Sequence, residues 1–274
     1  MANAVATAKQ TAVSGEVFDE MFDDGPEGAI FDASELQIPF LRIAQQMSPE
    51  INKKDAKYIE GLSAGDIFNT LTGQVYPGDN GLLVIPCYIK TSYKEWVPRD
   101  MGGGFVQEFS SDAHELRQVV REEVGGKLVD RLPSGNELVT SDDHYCLVIA
   151  EDGTSEPVLL DMKSTQRKVA KRWRTMISMN RMKNPKTGKQ HILPCYSTLW
   201  RLKTVDENNK RNETYSNYAI SKDSVLSSDQ RDMYEEAKMF RQSVDSGEVR
   251  ASEGNSASPP PPPQKDNRDN DIPF

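Results

Sequence analysis

The stretch GLLVIPCYIKTSYKEWVPR, Gly81 to Arg99, reads as one long β-strand. Its first part is continuously apolar, and beyond Pro86 it alternates and gains charge, as a strand does when it leaves the core for an edge. With Leu83, Ile85, Cys87 and Ile89 facing inward, Tyr88 and Lys90 face the opposite side. Tyr93, Lys94, Trp96 and Arg99 follow, and Gly102-Gly103-Gly104-Phe105 reads as a mobile loop.

Upstream, Ile38–Ala44 opens the folded body as a first strand. The Ser48-Pro49 and Lys53–Lys57 stretches make a loop, and Gly65–Thr70 is a short strand ending in a Thr72-Gly73 turn. Downstream, Leu116, Val119, Val120 and Val124 have helical spacing, with Ser111 or Asp112 as cap. A hairpin follows over Lys127–Thr140 around Pro133-Ser134-Gly135-Asn136. These elements form an insertion at about 102–142. Tyr145–Ala150 and Glu156–Met162 make a second hairpin across Glu151-Asp152-Gly153. A basic helix runs from Ser164 to about Met179, its apolar stripe being Val169, Trp173, Met176 and Ile177, with Trp173 assigned to the core. Asn184–Gly188 breaks it. Pro194–Val205 and Thr214–Ile220 are two last strands, and a final helix spans about 225–242, with Met233, Ala237 and Phe240 in register.

This order predicts a mainly β protein with peripheral helices, specifically an elaborated OB-fold. Such a five-stranded barrel carries a helix between its third and fourth strands. Hairpins in place of β-α-β alternation argue against a parallel sheet. Residues 38–242 would be the domain, residues 1–37 an acidic, partly disordered arm, and residues 243–274 a disordered linker and tip. Between Glu16 and Glu35 the arm holds eight acids and no base. It reads either as a DNA mimic over a basic face or as a solvated lead-in.

Of 274 residues, 33 are basic and 42 acidic, a net charge of −9. That sum alone argues against a nucleic-acid binder, but the distribution argues for one. Lys163–Arg211 holds fourteen bases and two acids, or +12, which leaves −21 for the rest. Such asymmetry marks an electrostatic binding face. Cys87, Cys146 and Cys195 form no Cys-x-x-Cys pair and fit a reduced, cytosolic protein. Neither a signal peptide nor a membrane-length apolar stretch is apparent.

An OB-type binder of single strands needs cations for phosphates and exposed rings for bases. Tyr88, Tyr93 and Trp96 interleave with Lys90, Lys94 and Arg99. In Pro194–Val205, Tyr196, Trp200 and Leu202 share one face, while Leu199, Arg201 and Lys203 share the other, and the sequence leaves open which face the rings take. Arg201 and Lys203 are the phosphate candidates there, and Tyr215 follows in the next strand. Lys163, Arg167, Lys168, Lys171, Arg172 and Arg174 form a run of six bases without an acid. Their mutual repulsion calls for a polyanion.

Gln264–Phe274 spells QKDNRDNDIPF, held away from the body by five prolines, Pro259–Pro263, that extend over roughly 15 Å as polyproline II. This segment resembles the acidic tip of bacterial and phage single-stranded-DNA-binding proteins, which ends in Asp residues followed by Ile-Pro-Phe. The matching residues are Asp269, Asp271, Ile272, Pro273 and Phe274, and the departure is Asn270, where an acid is usual. The resemblance implies protection of single-stranded DNA without strong sequence preference in replication, recombination and repair. It also implies recruitment of replication and recombination proteins through the tip, in the cytoplasm of a bacterium or of a phage's host. The acidic tip would rest on the basic groove until DNA displaces it.

No enzymatic activity, cofactor or metal is expected, and a homo-oligomer is compatible with the chain. Two alternatives stand beside this reading. A single-strand annealing or recombination-mediator protein would use the same basic face. A metal-dependent nuclease would use Asp161-x-Lys163 with Asp142, Asp143 or Asp152 upstream. His191 and Cys195 lack a second pair for zinc, and a phosphate-binding loop is absent from the sequence.

Overall fold

The computed structural model describes residues 37–209 and 212–249. The acidic arm, the proline run and the Ile272-Pro273-Phe274 tip lie outside the described residues. The chain is mainly β. Leu41–Ile43 (β1), Ile67–Asn69 (β2) and Val75–Tyr76 (β3) form a small antiparallel sheet. The long strand is Leu82–Trp96 (β4), followed by Phe105–Phe109 (β5), Val120–Val124 (β6), Lys127–Arg131 (β7), Glu137–Ile149 (β8) and Ser155–Lys163 (β9). Helix α1 (Gln166–Ser178) precedes a separate hairpin of Arg181–Lys183 (β10) and Gln190–Ile192 (β11). Thr198–Asn208 (β12), Thr214–Val225 (β13) and helix α2 (Arg231–Asp245) complete the body.

The main sheet runs β13-β12-β4-β8-β7-β6, with β5 paired to β4 and β9 to β8. Where β4, β8, β9 and β12 lie side by side, apolar residues are buried on both faces. Leu82, Val84, Cys146, Val148, Leu160, Met162, Trp200 and Leu202 pack with Ala170 and Trp173 of α1. Ile85, Cys87, Leu147 and Leu199 pack instead against Ala237 of α2. The expected inward face of β4 therefore needs correction. Ile85 and Cys87 meet α2, while Leu82 and Val84 point into the larger core, and the continuous apolar run reflects cover on both sides. A register shift between Pro86 and Tyr88 divides β4 into a half paired with β12 and a half paired with β5. Ser155 Oγ donates to the Glu236 carboxylate, tying β9 to α2.

Among the described residues no ladder joins β9 to β13, so the expected closed five-stranded barrel is not seen. The β1 segment lies across that opening. Phe40 makes a parallel bridge to Leu159, and Gln45 exchanges two hydrogen bonds with the Ser216 backbone, at 2.9 and 3.0 Å. The turn before β4 presses on β12. A Cβ at Gly78 would meet Thr204 Oγ1 and Gly65 O, and one at Gly81, where φ is +67°, would meet Leu202 O.

The insertion differs from its expected form. In place of a helix over Asp112–Val124, a short 3-10 turn over His114–Gln118 leads into β6. The β6 side chains are all exposed, so no core reads the helical spacing, and β-branched Val120 and Val124 favour the strand. Gly125 and Gly126, at φ +56° and +76°, supply the two left-handed residues that a two-residue hairpin turn requires. The Gly102–Gly104 turn ends earlier than expected, because Phe105 already belongs to β5. Glu95, 4% exposed, anchors the insertion by accepting from Gln107, Ser134 and Asn136 at 2.7–2.8 Å. Burial alone would raise its pKa, but these three bonds together lower it.

Cys87, Cys146 and Cys195 are free thiols whose pKa values burial pushes up. Among the described residues, no helix is long and apolar enough to cross a membrane.

Candidate nucleic-acid interface

Helix α1, QRKVAKRWRTMIS, divides its residues among three sides. The apolar side buries Ala170 and Trp173, with Val169, Met176 and Ile177 packed beside them. Trp173 lies edge-on to Trp200, ring centres 6.0 Å apart, and stacks on His144 at 4.7 Å. On the flank, Arg167 Nε is 3.1 Å and Arg174 Nη1 3.0 Å from the two oxygens of Asp142, a β8 residue only 1% exposed. Arg174 also donates to Thr91 Oγ1 and to the Lys90 carbonyl, at 2.9 and 2.8 Å. A buried carboxylate left alone would be costly, and two guanidiniums with the Thr91 hydroxyl satisfy it. These contacts fasten the helix to β4 and β8.

His144 sits beneath this bridge and donates from Nδ1 to the Asp142 carbonyl at 3.0 Å. Complete burial, reinforced by the Arg174 charge, pulls its pKa down to about 4. The ring is therefore neutral at pH 7.

The third side of α1 carries Lys168, Lys171 and Arg172, all exposed and without a salt bridge among the described residues. Beside the first turn, Tyr215 donates to Glu207 at 2.8 Å. Hydrogen bonds from Asn217 and Tyr215 lower the Glu207 pKa, and the nearby Lys168 charge adds to them. Tyr215 and Lys168 are thus brought together by the fold.

Other expected contacts are placed differently. Trp200 is 1% exposed and Lys94 4%, so neither offers a surface to DNA in this fold. Trp200 fills the core against Trp173. Lys94 lies 3.4 Å from Asp143, whose oxygens also accept from Ser92 and Ser141 at 2.7 and 2.6 Å. Tyr88 is half-buried against Tyr145, which makes it a packing residue. Lys90 pairs with Glu108 at 2.8 Å, and Arg201 with Asp223 at 3.3 Å. Arg99 and Lys203 are exposed, and Tyr93 is half-buried.

Trp96 and Lys163 do meet. The ammonium stands 5.9 Å from the ring centre, and Phe105 abuts Trp96 edge-on at 5.6 Å. Lys163, paired with Asp161 at 2.7 Å, also lines a cleft of about 290 Å³ with Arg42, Gln45 and Gln166. Asp143 stands opposite Asp161 in the β8–β9 register. Each carboxylate already has its cation. Among the described residues no three His, Cys, Asp or Glu side chains gather to hold a metal.

Two features escaped the sequence reading. Asp142 carried no sign of its bridging role, because its partners lie 25 and 32 positions away. The segment 184–188 read only as a helix breaker, whereas it is the turn of the β10–β11 hairpin.

Residues 8–250 match the model of a family described as Pam3 phage gp34-like protein. The chain belongs to this family. The gp34-like match spans β1 to α2, so it includes the whole α1 face, and it stops ahead of the proline run. No curated protein and no solved structure matches the chain.

Proposed function

We propose that this protein binds and protects single-stranded DNA, without catalysis and without strong sequence preference, during phage DNA replication and recombination. The observation that carries the reading is the outer side of α1. Its flanking arginines neutralise a buried acid, while Lys168, Lys171 and Arg172 remain exposed without an ion pair among the described residues. A phosphate backbone relieves that repulsion and releases counterions as it binds. Trp96, with Lys163 over its ring, supplies the pairing of aromatic surface and cation that unstacked bases favour.

Strand order supports an OB-type arrangement. The path β9-β8-β4-β12-β13, with α1 between β9 and β12 and a register shift midway along β4, is compatible with that reading. The β1 segment takes the place of a direct closing ladder. Asp269, Asp271, Ile272, Pro273 and Phe274 are proposed to recruit a replication or recombination partner, the phenyl ring entering a pocket rimmed by basic residues. The family description is in keeping with a phage setting.

The test is titration of fluorescent oligo-dT at low and moderate salt, with duplex DNA as competitor, beside a variant truncated after Ser258. Tight, salt-sensitive binding that prefers the single strand is expected, and stronger binding by the truncated variant would support competition by the acidic segment. Absence of binding by both overturns the reading. Binding accompanied by faster pairing of complementary strands would favour an annealing protein instead.

A further inference from the structure

The β10–β11 hairpin follows α1 directly and packs neither face of its strands on the body. Residues 181–183 and 190–192 are all exposed. A two-stranded hairpin with no covered face is marginal in water, so its persistence needs local supports. They are present at both ends. Asn184 Oδ1 accepts from the Lys186 and Thr187 amides at 2.8 and 3.2 Å, its carbonyl accepts from Gly188 at 2.8 Å, and its amide donates to Lys189 O at 2.8 Å. At the base, Asn180 donates to Thr198 Oγ1 and accepts from Lys222 Nζ, both at 2.7 Å, and its carbonyl accepts from the Leu193 amide at 2.9 Å. The hairpin is thus an ordered projection held at its root.

Its charges have one sign. Arg181, Lys183, Lys186 and Lys189 are exposed, and Lys163–Lys189 contains ten bases and no acid. Register sets Arg181 opposite Ile192 and Met182 opposite His191. Apolar surface therefore accompanies the cations: Met179 is 70%, Met182 45% and Ile192 60% exposed. Cations interleaved with soft apolar side chains suit a ligand with phosphates on one edge and unpaired bases on the other.

We propose that the β10–β11 hairpin is a clamp that continues the α1 track along single-stranded DNA. Its four cations engage phosphates, and Ile192, which shares a face with Arg181 and Lys183, lies against bases. This inference rests on the function proposed above and adds a part of the interface that none of the sequence-predicted contacts includes. Charge complementarity and direct continuity with the α1 face favour DNA as the occupant over a second copy of this chain.

The test compares the full chain with R181Q/K183Q/K186Q/K189Q by oligo-dT titration across a salt series. Each phosphate deprived of its cation lowers the slope of log affinity against log salt by about 0.7, so a total reduction of about 3 is expected with the unfolding midpoint unchanged. Photo-crosslinking to an oligonucleotide bearing iodouracil should label the Ile192 strand. If the parent binds and the variant keeps its slope and affinity, the clamp is overturned while the proposed function stands. A variant that keeps its slope but loses self-association seen without DNA makes the hairpin a contact between copies, and also overturns the clamp. If the parent itself does not bind, the proposed function fails first and the clamp fails with it.

Discussion

Helices α1 and α2 cover opposite faces of one sheet, yet they treat their solvent sides differently. Helix α2 balances itself. Its three bases and four acids include Lys238–Glu235 and Arg241–Asp245 pairs one turn apart, at 3.7 and 3.1 Å. Helix α1 has five bases and no acid. Both bury an apolar stripe, so covering the sheet does not require the imbalance. Internal neutralisation accounts for Arg167 and Arg174, whereas the charge of Lys168, Lys171 and Arg172 is left for something outside the fold.

The largest test of this contrast strikes the shared role. Trp173→Ala should cost about 4 kcal/mol of stability in urea unfolding, because the indole fills the core between His144 and Trp200. Phe240→Ala on half-buried α2 should cost less.

Acid should expose the α1 side next. His144 has a folded pKa of about 4 against an ordinary 6.5, so the unfolded chain takes up a proton first. The contribution is complete above pH 6.5 and is lost as pH falls towards 4, by about 3 kcal/mol at most. His144→Gln should flatten that part of the pH–stability curve, and an unchanged slope would show that other groups carry it. Asp142→Asn follows at about 2 kcal/mol by the same urea measurement, discounted because Arg167 and Arg174 are each about one-third exposed.

The outer faces separate the helices most cleanly. K168E/K171E/R172E on α1 should weaken oligo-dT binding about tenfold or more, roughly 1.4 kcal/mol, with little change in unfolding. R231E/K238E on α2 should leave binding intact, and equal losses from both would erase the difference between the two helices. The smallest effect belongs to the self-balanced helix. Arg241→Ala should remove only about 0.4 kcal/mol, readable as a small shift in the urea midpoint.

What the sequence allowed to be read follows from what its periodicities report. The β8–β9 hairpin, α1 and α2 were legible because their apolar spacing is the spacing of buried faces. The same argument misread Asp112–Val124, where Val120 and Val124 meet solvent and no core enforces a period. Lys94 and Trp200 were misplaced for another reason. Alternation tells which residues share a face but not which face is covered, and Lys94 is buried by Asp143 on a different strand. Arg167 and Arg174, seven apart, could be seen to share a helix side. The acid that claims them could not.

The hairpin at 181–192 has a consequence for how the chain can be cut. Four exposed basic residues within nine positions offer trypsin a target well clear of the core. A nick there divides the body into a piece ending with α1 and a piece carrying β12, β13 and α2. The two should stay together, because Leu82–Val84 of β4 remain laddered to Trp200–Leu202 of β12 and α2 still covers Leu147. The site is thus a place to split the protein into complementing halves.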